Sequence, residues 1–114
     1  MESCLFCRIA AGDAPARILF ADDDLVAFHD VNPQAPVHVL VIPRRHIASL
    51  DETSEGDRTL LGSLVAAAVR AGRETGVAED GFRVVVNTRR NGGQTVGHLH
   101  LHLLGGRRMH WPPG

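Results

Sequence analysis

The chain has 114 residues and a formal net charge of -1, from 12 basic against 13 acidic side chains. That length fits one domain with a real core, and the near-balanced charge favours neither nucleic acid nor an anionic membrane surface as partner. Every basic residue is Arg, which excludes Lys-based covalent chemistry, and no run approaches the ~20 apolar residues of a membrane span.

The first residues, Met1-Glu2-Ser3-Cys4, lack the basic start of a secretory leader. A cytoplasmic, reducing address is therefore the simplest expectation. The only cysteines are Cys4 and Cys7, and in such a compartment a Cys-x-x-Cys pair points to metal or redox chemistry more than to a disulfide. Ser3 can cap a short helix over 3–11, which Gly12 and Pro15 stop. Short strands are expected over 17–21 and 25–29, joined by the turn Asp22-Asp23-Asp24. After the loop Asn32-Pro33-Gln34-Ala35-Pro36 comes a β-branched strand over 37–42, ended by Pro43.

The one long helix spans 54–75, with Ser54 as its cap and Glu55 and Asp57 in its first turn. Leu60, Leu64 and Ala68 form one apolar series and Leu61, Val65 and Val69 the next, so one stripe faces a core. Gly76 stops it. A strand over 82–87, a glycine-containing loop over 88–97 and a strand over 98–104 complete the chain. The fold class is α+β: about five antiparallel strands with one long and one short helix packed on the sheet.

The last strand carries the chemistry. Its text is Gly97-His98-Leu99-His100-Leu101-His102-Leu103-Leu104. With a side-chain period of two, all three imidazoles share one face about 7 Å apart and the leucines share the other. Imidazole serves near neutral pH as base, nucleophile or ligand; the bland alternative is a histidine-rich surface strand. Upstream, Gly92-Gly93-Gln94-Thr95 offers backbone and side-chain donors suited to an anion, although the Walker ending is absent.

His98-x-His100-x-His102 followed by two leucines resembles the signature of the histidine triad (HIT) superfamily. Phe28-His29-Asp30-Val31-Asn32-Pro33-Gln34-Ala35-Pro36, His38 to Ile47, and the ending Leu104-Gly105-Gly106-Arg107-Arg108-Met109-His110-Trp111-Pro112-Pro113-Gly114 resemble its Hint branch of purine nucleoside phosphoramidases. The similarity runs nearly end to end. It implies one HIT domain over 1–114 that hydrolyses purine nucleoside 5′-phosphoramidates, AMP conjugates among them, through a nucleotidyl-histidine and without a catalytic cofactor.

By that resemblance His100 is the nucleophile, His102 and Gln94 hold phosphate oxygens, Thr95 serves the leaving amine, and His38 supports the nucleophile beside His98. Asp30 and Val31 embrace ribose and base. Phe6, Ile9, Phe28 and Ile42 wall the purine, though each suits a core equally well. Asn87 holds the loop or reaches the phosphate, and Gly93 binds the nucleotide beside it. The resemblance also pairs Cys4 and Cys7 with His46 and His98 in a closed structural zinc site; a reduced thiol pair packed in a helix is the alternative. It further implies a homodimer, with the sheet extended across it, the helix 54–75 contributing to the contact, and the tail 105–114 packing at the interface so that Trp111 binds nucleotide at the partner's site. Gly97 departs from the larger residue common before the triad. Arg44, Arg45, Arg89 and Arg90 read as solvated charges. Competing functions are a dinucleoside polyphosphate hydrolase, a purine-nucleotide-binding regulatory module with weak turnover, and a metalloenzyme using the three histidines as ligands.

Overall fold

The computed structural model describes residues 3–114, so Met1 and Glu2, the start of the segment read for a leader, lie outside it. Five strands, β1 (Ile18–Ala21), β2 (Leu25–His29), β3 (Val37–Pro43), β4 (Phe82–Val85) and β5 (Leu101–Gly105), form one sheet. The order is β1-β2-β3-β5-β4, and every neighbouring pair is antiparallel. The helices are α1 (Leu5–Ala10), α2 (Arg58–Glu74) and a single turn, α3 (Arg89–Gly92), inside the expected loop. The expected α+β architecture is present, and no helix among the described residues is long and apolar enough to cross a membrane.

Period-two alternation builds two cores, one on each face. On β2 and β3, Leu25, Ala27, Val39 and Val41 face α2, together with Leu99, Leu101 and Leu103. Val26, Phe28, Leu40 and Ile42 face the other way, onto Phe6 and Ile9 of α1. Both central strands are covered on both faces, which is why they read as almost unbroken apolar runs.

Several boundaries differ from expectation, each for a local reason. Cys4 rather than Ser3 caps α1, its sulfur accepting from the Cys7 backbone N–H. Ser54 opens a 3₁₀ turn, Glu55–Asp57, whose Asp57 carboxylate accepts from the Ser54 N–H at 2.9 Å before α2 begins. The buried stripe of α2 is Leu64, Ala67, Ala68, Ala71 and Gly72, so Val65 of the expected second series is half-exposed. Gly72 is needed there: a Cβ would meet the Phe82 ring at 2.9 Å. Pro43 ends β3 from within the strand. The final strand begins at Leu101, three residues late. Opposite residues 98–100 stands Pro43, which has no N–H and whose carbonyl is taken by the His98 ring, while the Leu99 N–H turns to the Ile47 carbonyl at 2.7 Å.

Candidate active site

The shortened strand keeps the expected facing. The leucines enter the core under α2, and the histidines turn to the α1 face. Spacing is tighter than a bare strand suggests: the His100 and His102 rings lean together with centroids 4.9 Å apart. Phe6 of α1 stands edge-on to both His98, at 5.9 Å, and His100, at 5.2 Å.

His100 and His102 line a cavity of about 460 Å³. Phe6, Ile9 and Phe28 line it with apolar surface and Asp30, His38, His100, His102 and Thr95 with polar groups, and Val31, 95% exposed, also borders it. A mostly apolar cleft with a few convergent polar groups is the usual form of a small-molecule site. His29, Gln34 and Leu40 also line it. Alternation along β2 predicts Phe28 inward; His29 carries no such signal, because it is the last residue before the loop.

The hydrogen bonds assign a proton to each ring. His100 Nδ1 lies 2.7 Å from the His98 carbonyl, which can only accept, so Nδ1 carries the proton and Nε2 keeps its lone pair. His38 Nδ1 accepts from the Gln34 backbone N–H at 3.0 Å. His38 Nε2 therefore carries a proton and donates to His102 Nδ1 at 2.9 Å. That leaves His102 with an Nε2–H donor. Asp30 approaches His38 Nε2 at 3.5 Å, and its other oxygen accepts from the Asn32 N–H at 2.9 Å. Burial holds the His38 pKa below its ordinary value in spite of Asp30, with His100 adding to the lowering. Burial, then His100 and His38, push His102 down to about 4. Both rings are neutral near pH 7.

His98 is a different case. It is fully buried, its Nε2–H donates to the Pro43 carbonyl at 2.8 Å, and its Nδ1 faces Cys4 Sγ at 3.3 Å and Cys7 Sγ at 3.5 Å. Both nitrogens are engaged away from the cavity, so His98 stands with the cysteines and His46, as the resemblance implies, and does not line the cavity with the other residues expected to be catalytic. His46 Nδ1 lies 3.1 Å from Cys7 Sγ. The four donor atoms all fall within 4.8 Å of one another, and a tetrahedron with ligand bonds of ~2.0–2.3 Å has edges of ~3.6 Å. The set therefore fits a tetrahedral cation. Burial first, then the hydrogen bond and charge of Cys4, push the Cys7 thiol up.

Other expected residues lie off the cavity. Gln94 does not line the cavity: its Nε2 donates to the carbonyls of Ala48, at 2.7 Å, and Val96, at 2.8 Å, while its Oε1 accepts from the Arg89 N–H at 2.9 Å. It braces the loop that carries Thr95. Gly93, φ +79, ends the α3 turn, and Asn87 packs beneath Gly92. Ile42 is fully buried under α1 and touches no cavity space. Trp111 is 83% exposed, on a tail held by the Arg83 guanidinium donating to the His110 carbonyl at 2.8 Å. Of the arginines beside the motifs, Arg45 pairs with Asp57 and Arg89 with Asp51, so these are surface ion pairs.

Comparison with known proteins identifies the family. The HIT domain family model matches residues 11–109. An uncharacterized HIT-like protein of Synechococcus elongatus is 49% identical over 113 residues, 99% of this chain and 98% of its own length. Among solved structures, a HIT family hydrolase from Legionella pneumophila superposes with a TM-score of 0.96 at 47% identity, covering 98% of this chain and all of that one. A zinc-bound histidine triad family protein from Mycobacterium smegmatis superposes at 0.78 with 33% identity, covering 93% of this chain and 76% of that one. The chain belongs to the HIT domain family.

Proposed function

We propose that the chain is a Hint-like hydrolase that cleaves purine nucleoside 5′-phosphoramidates through a nucleotidyl intermediate on His100. The observation that carries this is the pairing of opposite tautomers on one wall. His100 offers a lone pair at Nε2 and His102 an N–H at Nε2, side by side. In the first step His100 Nε2 attacks the α-phosphorus, the P–N bond breaks, and the amine leaves with a proton passed from the exposed rim where Thr95 stands. In the second step water attacks the same phosphorus and gives up a proton to the solvent at that rim, restoring the one taken up in the first step, the histidine–phosphorus bond breaks, and the nucleoside monophosphate is released. Two displacements replace one harder one. His102 donates to the phosphate oxygen as charge develops, without carrying a full positive charge of its own.

The purine rests between Phe6, Ile9 and Phe28, and the ribose hydroxyls donate to Asp30 beside Val31. Gln94, Gly93 and Asn87 serve by shaping the loop. Cys4, Cys7, His46 and His98 hold a structural zinc ion, which ties α1 to the sheet and leaves no open position for substrate; a reducing, cytoplasmic address keeps both sulfurs available. A homodimer completes the assembly, supported by the free edge of β4 and the exposed Val84, Val65 and Trp111.

The test is release of AMP from adenosine 5′-phosphoramidate, run beside a chelated sample and His100→Ala. Turnover that survives brief chelation and falls at least ~10³-fold in His100→Ala is the expected result. Tight AMP binding with no release from the wild-type protein would overturn hydrolysis in favour of a binding module.

A further inference from the structure

The proton order along the cavity wall is set at His38, where the Gln34 N–H faces Nδ1 and the Asp30 carboxylate, at 3.5 Å, faces Nε2. Nothing in a neutral imidazole pair decides which ring donates, since each has one N–H and one lone pair. Here the decision is made outside the pair, by a backbone group in direct hydrogen-bond contact, with the more distant Asp30 carboxylate acting in the same sense. The Gln34 N–H points at His38 Nδ1 from 3.0 Å, and a backbone amide can only donate. The same residue's carbonyl accepts from the Arg107 guanidinium at 3.1 Å, just beyond β5, and its side-chain amide donates to the Asn32 carbonyl at 3.0 Å. The loop is thus pinned from two sides.

We propose that the Gln34 backbone N–H is a positioning group which, held by Arg107, fixes His38 and His102 as Nε2–H tautomers and so makes His102 a donor toward the cavity. Reversing that one bond would reverse the chain: His38 Nε2 would accept, His102 Nδ1 would donate, and His102 Nε2 would present a lone pair to an anion. An anionic phosphate would then meet two lone pairs, on His100 and His102, where it now meets one lone pair and one donor. The consequence for turnover rests on the phosphoramidase reading above; the tautomers themselves do not.

The experiment is long-range nitrogen–proton NMR of the histidine rings in the full chain, without substrate. The wild-type protein should show Nε2–H for His38 and His102 and Nδ1–H for His100. Gln34→Pro deletes the N–H and should lose the fixed pattern at His38 and His102 while His100 keeps its own; Gln34→Ala retains the N–H and should keep all three. Arg107→Ala should give a partial loss. In the phosphoramidate assay Gln34→Pro should lower kcat on the order of 10²-fold, with KM changed much less. Nδ1–H at His38 in the wild-type protein overturns the proposal, and so does a wild-type pattern in a folded Gln34→Pro. Should Gln34→Pro fail to fold, the wild-type and Arg107→Ala spectra decide by the same criteria. If the tautomers are as stated and no substrate turns over, the positioning stands and the phosphoramidase reading falls.

Discussion

The histidine strand runs between two clusters built from similar parts and put to opposite uses. At one end His98 joins Cys4, Cys7 and His46; at the other His102 joins His38 and Asp30. Both groups bring their donor atoms within 4.8 Å of one another, yet only the first is suited to a cation. The difference lies in the backbone. A carbonyl, Pro43, takes the proton side of His98 and turns a lone pair toward the sulfurs. An amide, Gln34, takes the lone-pair side of His38 and turns a proton toward His102. A cation between His38 and His102 would have to displace that proton against the Gln34 N–H. Side-chain identity makes a histidine versatile; its backbone partner decides between ligand and donor.

The sharpest way to break this contrast is to remove one cluster's ring and watch the other cluster. His102→Ala deletes the donor that faces the phosphate, so turnover should fall ~10²–10³-fold, the range for losing one preorganised donor. Metal content, with its four ligands untouched, should stay near one ion per chain. A parallel loss of metal would show that the two clusters act as one.

The reverse substitution has the next largest effect. Cys4→Ser should abolish stoichiometric zinc and lower Tm on the order of 10 °C, from loss of about 2 kcal/mol of ligand-linked stability. The tie between α1 and the sheet goes with it, while the serine hydroxyl keeps the cap on the Cys7 N–H. The His38–His102 tautomers should be unchanged. A metal-free wild-type protein with the same Tm as Cys4→Ser would sink the zinc site.

These two regions were unequally legible in the sequence. The facing of the triad followed from period two, and β2 matched expectation residue for residue, because alternation and turn chemistry act locally. The division of labour within the triad did not follow from period two; only the resemblance set His98 beside Cys4, Cys7 and His46. That His98 turns both nitrogens away depends on Pro43, 55 positions earlier, and no local pattern announces such a contact. Gln94 shows the same limit: no local pattern announces that its amide donates to the carbonyls of Ala48 and Val96. The half-exposed Val65 belongs here as well. Helical periodicity gives the stripe's existence, while its exact bearing is set by where Phe82 meets Gly72.

The smallest effect separates the clusters by pH. Burial, then His100 and His38, hold His102 at about 4 in the folded chain, against an ordinary value of 6.5. Between those values the unfolded chain binds a proton that the folded chain refuses, so acid favours unfolding. The stability due to the neutral ring is fully present above about pH 6.5 and is lost as pH falls through about 4. One such proton sets a slope of at most about 1.4 kcal/mol per pH unit. Burial lowers His38 in the same direction, so it adds to the slope rather than opposing it. Denaturant midpoints measured between about pH 7 and about pH 4.5 should therefore fall more steeply in the wild-type chain than in His102→Asn, which has no ring to protonate. Zinc-saturated samples keep His98 and His46 out of the comparison, since a ligated nitrogen competes with the proton. Equal slopes in the two proteins would mean that His102 is not held neutral by its surroundings, and its role as an uncharged donor would go with it.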